Sequence, residues 1–277
     1  MIEDISRRSL LAASTAAMVP TAAYAADKLD LKKPEDLYRA LVRIRGSMGP
    51  EMFMGYCVGH YYGYSEGHMT PLYGLLAGTF SKFRPTPKGE YEGVSFELAY
   101  FTDFNSGELI DSFKNPYTNK MVTVPRFSTR PATFTLTRDA RIVFKEAIPN
   151  FLNSDRFLPP VMDGDSVWVV EENRNEFTPA APAKPFMYNE LVTLKAMKAD
   201  LENPALKSVP TTIGYQSEVV WRPWLEMGDT PGHLVGNGIG RKITTMDAFP
   251  PHYMDYSRKY FSEVFVDLDA YLNAGWK

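Results

Sequence analysis

Between Glu51 and Trp224, apolar and polar positions alternate with the two-residue period of strands; helical spacing is confined to the two ends of the chain. Pro34 suits a first helical turn. Leu37, Leu41 and Ile44 follow at i, i+4 and i+7, with Arg39 and Arg43 turned away, and Gly46 ends the helix. Residues 52–64 then alternate closely. Met54, Tyr56, Val58, His60, Tyr62 and Tyr64 share one face, and Gly55, Cys57, Gly59, Tyr61 and Gly63 share the other. Glycine at every second position permits another layer to approach, or a sharply curved sheet.

Further strands are expected over 91–101 and 108–114, flanking the turn Asp103-Phe104-Asn105-Ser106-Gly107. A second turn, Asn115-Pro116-Tyr117-Thr118-Asn119, leads into 120–125. Segments 133–137, 142–146, 167–172 and 211–221 read as strands, and 186–200 carries both helical and strand features and is assigned to strand. A proline–alanine loop occupies 179–185. Gly228, Gly232, Gly236, Gly238 and Gly240 predict a tightly turned loop, and Pro250-Pro251 precedes a helix. Phe261, Phe265, Leu268 and Leu272 form a last apolar stripe. Together these elements predict a mainly β fold: a barrel-like antiparallel sheet of calycin or lipocalin logic with flanking N- and C-terminal helices.

The first 25 residues change the picture of where the protein works. Ser6-Arg7-Arg8-Ser9-Leu10-Leu11, a mildly apolar run to Val19, and Ala23-Tyr24-Ala25 have the form of a twin-arginine export signal. The expected organisation is a signal over 1–25 and a single β-rich domain over 26–277. The expected location is the periplasm, with the export machinery as a partner and no integral membrane segment after signal removal. A formal net charge of −3 gives no case for nucleic acid. Cys57 is the single cysteine, which excludes an internal disulfide and cysteine-rich metal sites.

Several segments carry a family resemblance. They are Leu41-Val42-Arg43-Ile44-Arg45-Gly46-Ser47, the series Glu97-Leu98-Ala99-Tyr100-Phe101-Thr102-Asp103 with Ser106-Gly107-Glu108, Asn115-Pro116-Tyr117-Thr118-Asn119, and Trp221-Arg222-Pro223-Trp224-Leu225-Glu226-Met227-Gly228 with Pro231-Gly232. In these the chain resembles the bacterial and fungal family catalogued as domain of unknown function 1838, in which twin-arginine signals look common. The resemblance implies no settled activity and supplies no catalytic residues.

Candidate chemistry therefore comes from the residues alone. If the His60 face lines a barrel interior, Tyr56, Tyr62 and Tyr64 surround one titratable imidazole, a setting for a flat apolar ligand. Set against this is an aromatic core with His60 bonded to a carbonyl. Glu97, Glu190 and Glu218 lie in otherwise apolar strands, where an inward carboxylate would be desolvated into an acid–base group and an outward one merely solvated. The catalytic candidates are His60, Glu97 and Tyr100. The substrate-binding candidates are Tyr56, Tyr62, Tyr64, Asn115, Tyr117, Arg222 and Trp224. Asn115 and Tyr117 also suit a plain turn, and Arg222 suits a structural cation–π stack. No histidine spacing is that of a metal site, and no metal or other cofactor is expected; a metal-dependent alternative would have to gather His60, His68 and His233.

The leading expectation is an exported enzyme without a nucleotide cofactor. It would act by acid–base chemistry on a small apolar or aromatic compound, as a lyase, isomerase or hydrolase. A non-catalytic carrier of an apolar metabolite is the alternative, and a metal-dependent enzyme the second.

Overall fold

The computed structural model of the protein describes residues 28–145, 150–178 and 185–276. The signal expected over 1–25 lies outside them, as does most of the loop expected over 179–185. Helix α1 (Pro34–Arg45) precedes three long strands, β1 (Phe53–Ser65), β2 (His68–Pro85) and β3 (Tyr91–Thr102). A small two-stranded sheet follows, β4 (Ser112–Lys114) with β5 (Met121–Thr123), and then β6 (Phe127–Ser128), which pairs with β3. Next come β7 (Ala132–Leu136), β8 (Arg141–Phe144), β9 (Phe151–Phe157), β10 (Val161–Asp163), β11 (Ser166–Phe177) and β12 (Phe186–Met197). Helix α2 (Lys198–Glu202), β13 (Thr212–Val219), β14 (His233–Ile243), α3 (Pro251–Tyr260) and α4 (Leu268–Asn273) complete the chain.

The large sheet closes on itself. Its order is β11-β12-β13-β14-β1-β2-β3-β7-β8-β9, and β9 pairs back onto β11, giving a ten-stranded antiparallel barrel with no free edge among these strands. The mainly β fold expected from the alternation is what the chain adopts.

Helix α1 closes one end of the barrel as a floor. Leu41 and Ile44 are 1 % exposed against Phe53, Phe83, Leu136, Val167 and Leu194, each burial worth about 1.5–3 kcal/mol. Polar ties fix its position. Tyr38 donates to Leu136 O at 2.7 Å, and Arg43 donates to the carbonyls of Asp200, Leu201 and Asn203 at 2.6–2.8 Å. Lys242 Nζ donates to three carbonyls at the end of α1, those of Arg43, Ile44 and Gly46, where a cation also meets the helix dipole favourably.

At the opposite end, a plug built from the 221–227 segment and the β4–β5 ribbon covers β13, β14, β1, β2 and β3. Trp224 packs on Tyr73, Phe101 and Phe113, and Leu225 is fully buried. Helices α3 and α4 pack outside the barrel, on Phe80, Phe96, Leu98 and Tyr100 of β2 and β3. The absence of a side chain at Gly78 lets the Tyr253 hydroxyl reach Leu98 O at 3.1 Å; a Cβ there would lie 2.2 Å from that oxygen.

Two expectations are corrected. The glycine-rich stretch after Pro231 is not a loop but β14, paired on both sides, with Gly236, Gly238 and Gly240 on the inner face. A Cβ on Gly240 would lie 1.9 Å from the Tyr56 carbonyl, so these glycines let β14 and β1 coil tightly together. The last apolar stripe is not one helix. It breaks into a 3-10 turn, Ser262–Phe265, and α4, whose start is fixed by Asp267 accepting from Ala270 N at 2.9 Å.

Candidate functional site

Strand parity settles which side chains enter the barrel. On β1 the inner face is Phe53, Gly55, Cys57, Gly59, Tyr61 and Gly63; the His60 face is outside. The reason is curvature. Around Gly59, Gly238 and Gly240 the concave side of β1 and β14 is too close for a side chain, while the large rings on the convex side find cover elsewhere. His60 lies tilted against Phe104 at 4.5 Å and Tyr64 against His233 at 5.3 Å, while Tyr62 meets Phe104 edge to face at 5.4 Å and Tyr56 meets Phe249 and Tyr253 of the helical layer edge to face.

Four more expected site residues make contacts within the fold rather than with the cavity network. Tyr100 faces α3 and donates to Ser257 Oγ at 3.0 Å. Asn115 donates to Leu225 O at 2.7 Å and accepts from Tyr117 N at 2.9 Å, joining its turn to the plug. Tyr117 stacks on Trp221, and Trp224 forms the plug core. His60, His68 and His233 lie apart on the outer surface: His60 is opposite Asn237, His233 opposite Tyr64, and His68 at the exposed β1–β2 turn. Among the described residues, no three His, Cys, Asp or Glu side chains gather where they could hold a metal ion.

The interior itself is a cavity of about 1240 Å³ running from Ile44 and Arg45 on the floor to Phe127, Phe144, Phe151 and Phe186 at the far rim. The cross-strand register of β9, β11 and β12 arranges one wall as successive rungs. Phe151, Phe177 and Phe186 form the rim. Asn153, Asn175 and Tyr188 lie below it, then Asp155, Asn173 and Glu190, then Phe157, Glu171 and Val192. The wall thus passes from aromatic, through amide and phenol, to carboxylate, and ends on the apolar floor of Val169 and Leu194. Phe127, Phe144 and Phe177 keep about two-fifths of their surface exposed, so the rim faces solvent.

Hydrogen bonds run through the polar rungs. Arg222 reaches Tyr61 Oη at 3.4 Å, Tyr61 and Tyr215 share a 3.0 Å bond, and Tyr215 donates to Glu190 Oε1 at 3.0 Å. Gly236 makes room for the Tyr61 ring, since a Cβ there would lie 2.7 Å from it. On the β9–β11 side, Asn153 donates to Asn175 at 2.7 Å, Asn175 to Asn173, and Asn173 to Asp155 Oδ2 at 3.3 Å. Below them Arg45 from α1 pairs with Glu171 at 2.6 Å.

Glu97 faces this network from β3, its surface open only in part. Its carboxylate takes no hydrogen bond from any described side chain. Burial first, and then the nearby Glu190 charge, push it up to about 7 against the pull of Arg222. Burial also raises Glu190, with Glu171 adding to the effect and the Tyr215 bond opposing it. Asp155 is pushed up to about 8 by burial and then by Glu171, with Arg45 opposing. Cys57 faces the cavity between Glu97 and Glu190, and burial with those two carboxylates pushes its thiol up to about 12. It is therefore held protonated and is no nucleophile near neutral pH.

Of the three glutamates singled out in the sequence, Glu97 and Glu190 enter the cavity, while Glu218 pairs with Asn189 and Val235 in the register that points outward. Arg222 is the one expected substrate-binding residue whose side chain reaches the network. Tyr61, Tyr215, Asp155, Glu171 and Asn173 had no motif to announce them, and Arg45 was noted only within the family-like segment of residues 41–47.

The fold and its interior define a class: a closed ten-stranded antiparallel barrel around a polar cavity with an aromatic rim. The family described as "Protein of unknown function (DUF1838)" matches residues 59–263, and the chain belongs to that family. No curated protein and no solved structure matches the chain.

Proposed function

We propose that the barrel is an acid–base enzyme that takes a small, largely apolar, oxygen-bearing compound into its cavity. Glu97 carries the reading: a partly buried carboxyl without a protein hydrogen bond among the described residues, pushed up to about 7 by burial and the Glu190 charge and drawn down by Arg222, which also meets Tyr61. Such a carboxyl exchanges a proton with a bound substrate at physiological pH. Arg222 and Tyr61 supply donors to an oxygen that gains negative charge, as in an enolate or a tetrahedral adduct. Glu190, bonded to Tyr215, is the complementary carboxylate. Proton shuttling between the two suits an isomerase, lyase or hydrolase and calls for no nucleotide or metal.

The twin-arginine form of residues 6–11 makes this an exported, periplasmic activity in the same proposal. A carrier of an apolar metabolite is the second reading, favoured by the Phe151–Phe177–Phe186 rung.

The test is a panel of small cyclic ketones, enones and lactones incubated with the protein and with Glu97→Gln. Turnover with an apparent pKa near 7, reduced about 10²–10⁴-fold in the variant, supports the enzyme. Compounds that bind and are recovered unchanged by both proteins support the carrier instead.

A further inference from the structure

The inner carboxyls are unevenly supplied with hydrogen-bond donors. Glu97, Asp155, Glu171 and Glu190 line the cavity with Arg45, Arg222 and Lys242; of the other cations along it, Arg141, Lys145, Arg156 and Arg174 pair with Asp139, Glu92 and Glu172. Lys242 directs its ammonium at the three α1 carbonyls, and Arg45 is taken by Glu171. Asp155 is left with an amide on one oxygen. It is only 6 % exposed, and its Oδ1 has no hydrogen-bond partner among the described residues. A buried carboxyl oxygen without a donor is costly, and it marks a position where a ligand donor belongs. The groups around it are Glu171 and Asn173 on β11, Glu190 on β12, Ile142 on β8 and Arg45 on α1; none donates to Oδ1. Two rungs above, about 13 Å along the strand, stand the three phenylalanines of the rim.

We propose that the cavity takes a monocationic amphiphile, its ammonium on Asp155 Oδ1 and its apolar or aromatic body against Phe151, Phe177 and Phe186. The inference rests on the reading of the cavity as the ligand site and adds the substrate's class. A charge-assisted bond from an ammonium satisfies the orphan oxygen. It also has a proton signature. The free carboxyl holds a proton up to about pH 8; an adjacent cation favours the ionised form, so binding at pH 7 expels that proton.

The experiment is isothermal titration calorimetry of the protein with 4-phenylbutylamine, 4-phenylbutanol and 4-phenylbutanoate at pH 7, in phosphate and in Tris. The expected result is at least tenfold tighter binding of the amine than of the other two. Close to one proton should be released, read from the difference in heat between buffers. The amine's affinity should rise as pH is raised from 6 to 8, and Asp155→Asn should abolish both the preference and the release. The buffer comparison needs no variant, so it stands even if Asp155→Asn fails to fold. Alcohol or carboxylate binding as tightly as the amine, or amine binding without proton release, overturns the inference and leaves the cavity as a ligand site. Failure of all three to bind overturns both.

Discussion

Tyr215 donates its hydroxyl to Glu190 across 3.0 Å, and this fixes the direction of every bond behind it. A phenol has one proton to give. With that proton on Glu190, Tyr61 must donate to Tyr215, and Arg222 to Tyr61. The chain therefore delivers donor character from Arg222 to the carboxylate and holds Glu190 toward its ionised form against burial. Tyr215→Phe removes that support. Glu190 should titrate higher, moving the acid limb of any pH–rate profile upward, with turnover at pH 7 lower by about 10–100-fold. The fold should lose only about 0.5–1.5 kcal/mol. A pH–rate profile alongside chemical denaturation checks both parts.

The interior carboxyls give the protein an unusual dependence of stability on pH. Glu97 rises from 4.5 to about 7 on folding, and Asp155 from 3.8 to about 8. Between the unfolded and folded values the native state binds the extra protons, so stability falls as pH rises through that window. Melting temperature should be highest near pH 4–5 and decline to about pH 7, above which Lys242, lowered to about 7 by burial, offsets the fall because the unfolded state then binds the extra proton. Glu97→Gln should flatten part of the decline and be about 1–3 kcal/mol more stable than the parent at pH 8. Calorimetric melts across pH 4–9 decide it; a level profile from pH 5 to 8 would show that these carboxyls ionise normally.

His60 has no path to the cavity through β1, because its side chain leaves the barrel on the convex face against Phe104. His60→Ala should leave ligand binding and turnover within twofold of the parent. It should cost about 0.5–1.5 kcal/mol in stability through the lost ring contact. Titration calorimetry and a melting curve on the single variant suffice, and loss of binding would place the imidazole in the site after all.

How much was legible follows from where polarity and curvature agree. Period-two alternation through β1 and β3, with Pro34 and Gly46 bounding α1, is enough for a mainly β barrel with flanking helices; that α1 forms its floor is seen only in the packing. Alternation cannot tell inside from outside when both faces are mixed. On β1 the large rings look like the core, yet the convex side holds them because helices and loops lie there to receive them. On β11 the inner Glu171, Asn173 and Asn175 alternate with Glu172, Arg174 and Glu176, so neither face reads as buried. Asp155 sits in Asn153-Ser154-Asp155-Arg156, a stretch with the composition of a turn. Glu97 and Glu190 were visible because each interrupts an apolar strand. Tyr215 was not, since only the β12–β13 register sets its hydroxyl beside Glu190, and Asp155 meets Asn173 only when β9 closes onto β11.

The plug depends on one amide. Asn115 is fully buried; its Nδ2 donates to Leu225 O and contacts Met227 Sδ, while its Oδ1 receives Tyr117 N. The turn at residues 115–119 and the 3-10 turn Pro223–Leu225 are thereby held as one unit over β13–β3, and Arg222 leaves that unit to enter the cavity. Asn115→Ala strands a buried carbonyl and a buried N–H together, a loss of about 1–3 kcal/mol. Because Arg222 adjoins the loosened turn, its bond to Tyr61 should be held less firmly too. Amide exchange at residues 224–227 should quicken, and a cavity ligand should dissociate faster even though Asn115 touches no part of the cavity network. Exchange and off-rate measured on the same variant separate this from simple destabilisation: a melting temperature lowered with an unchanged off-rate would mean that the plug does not position Arg222.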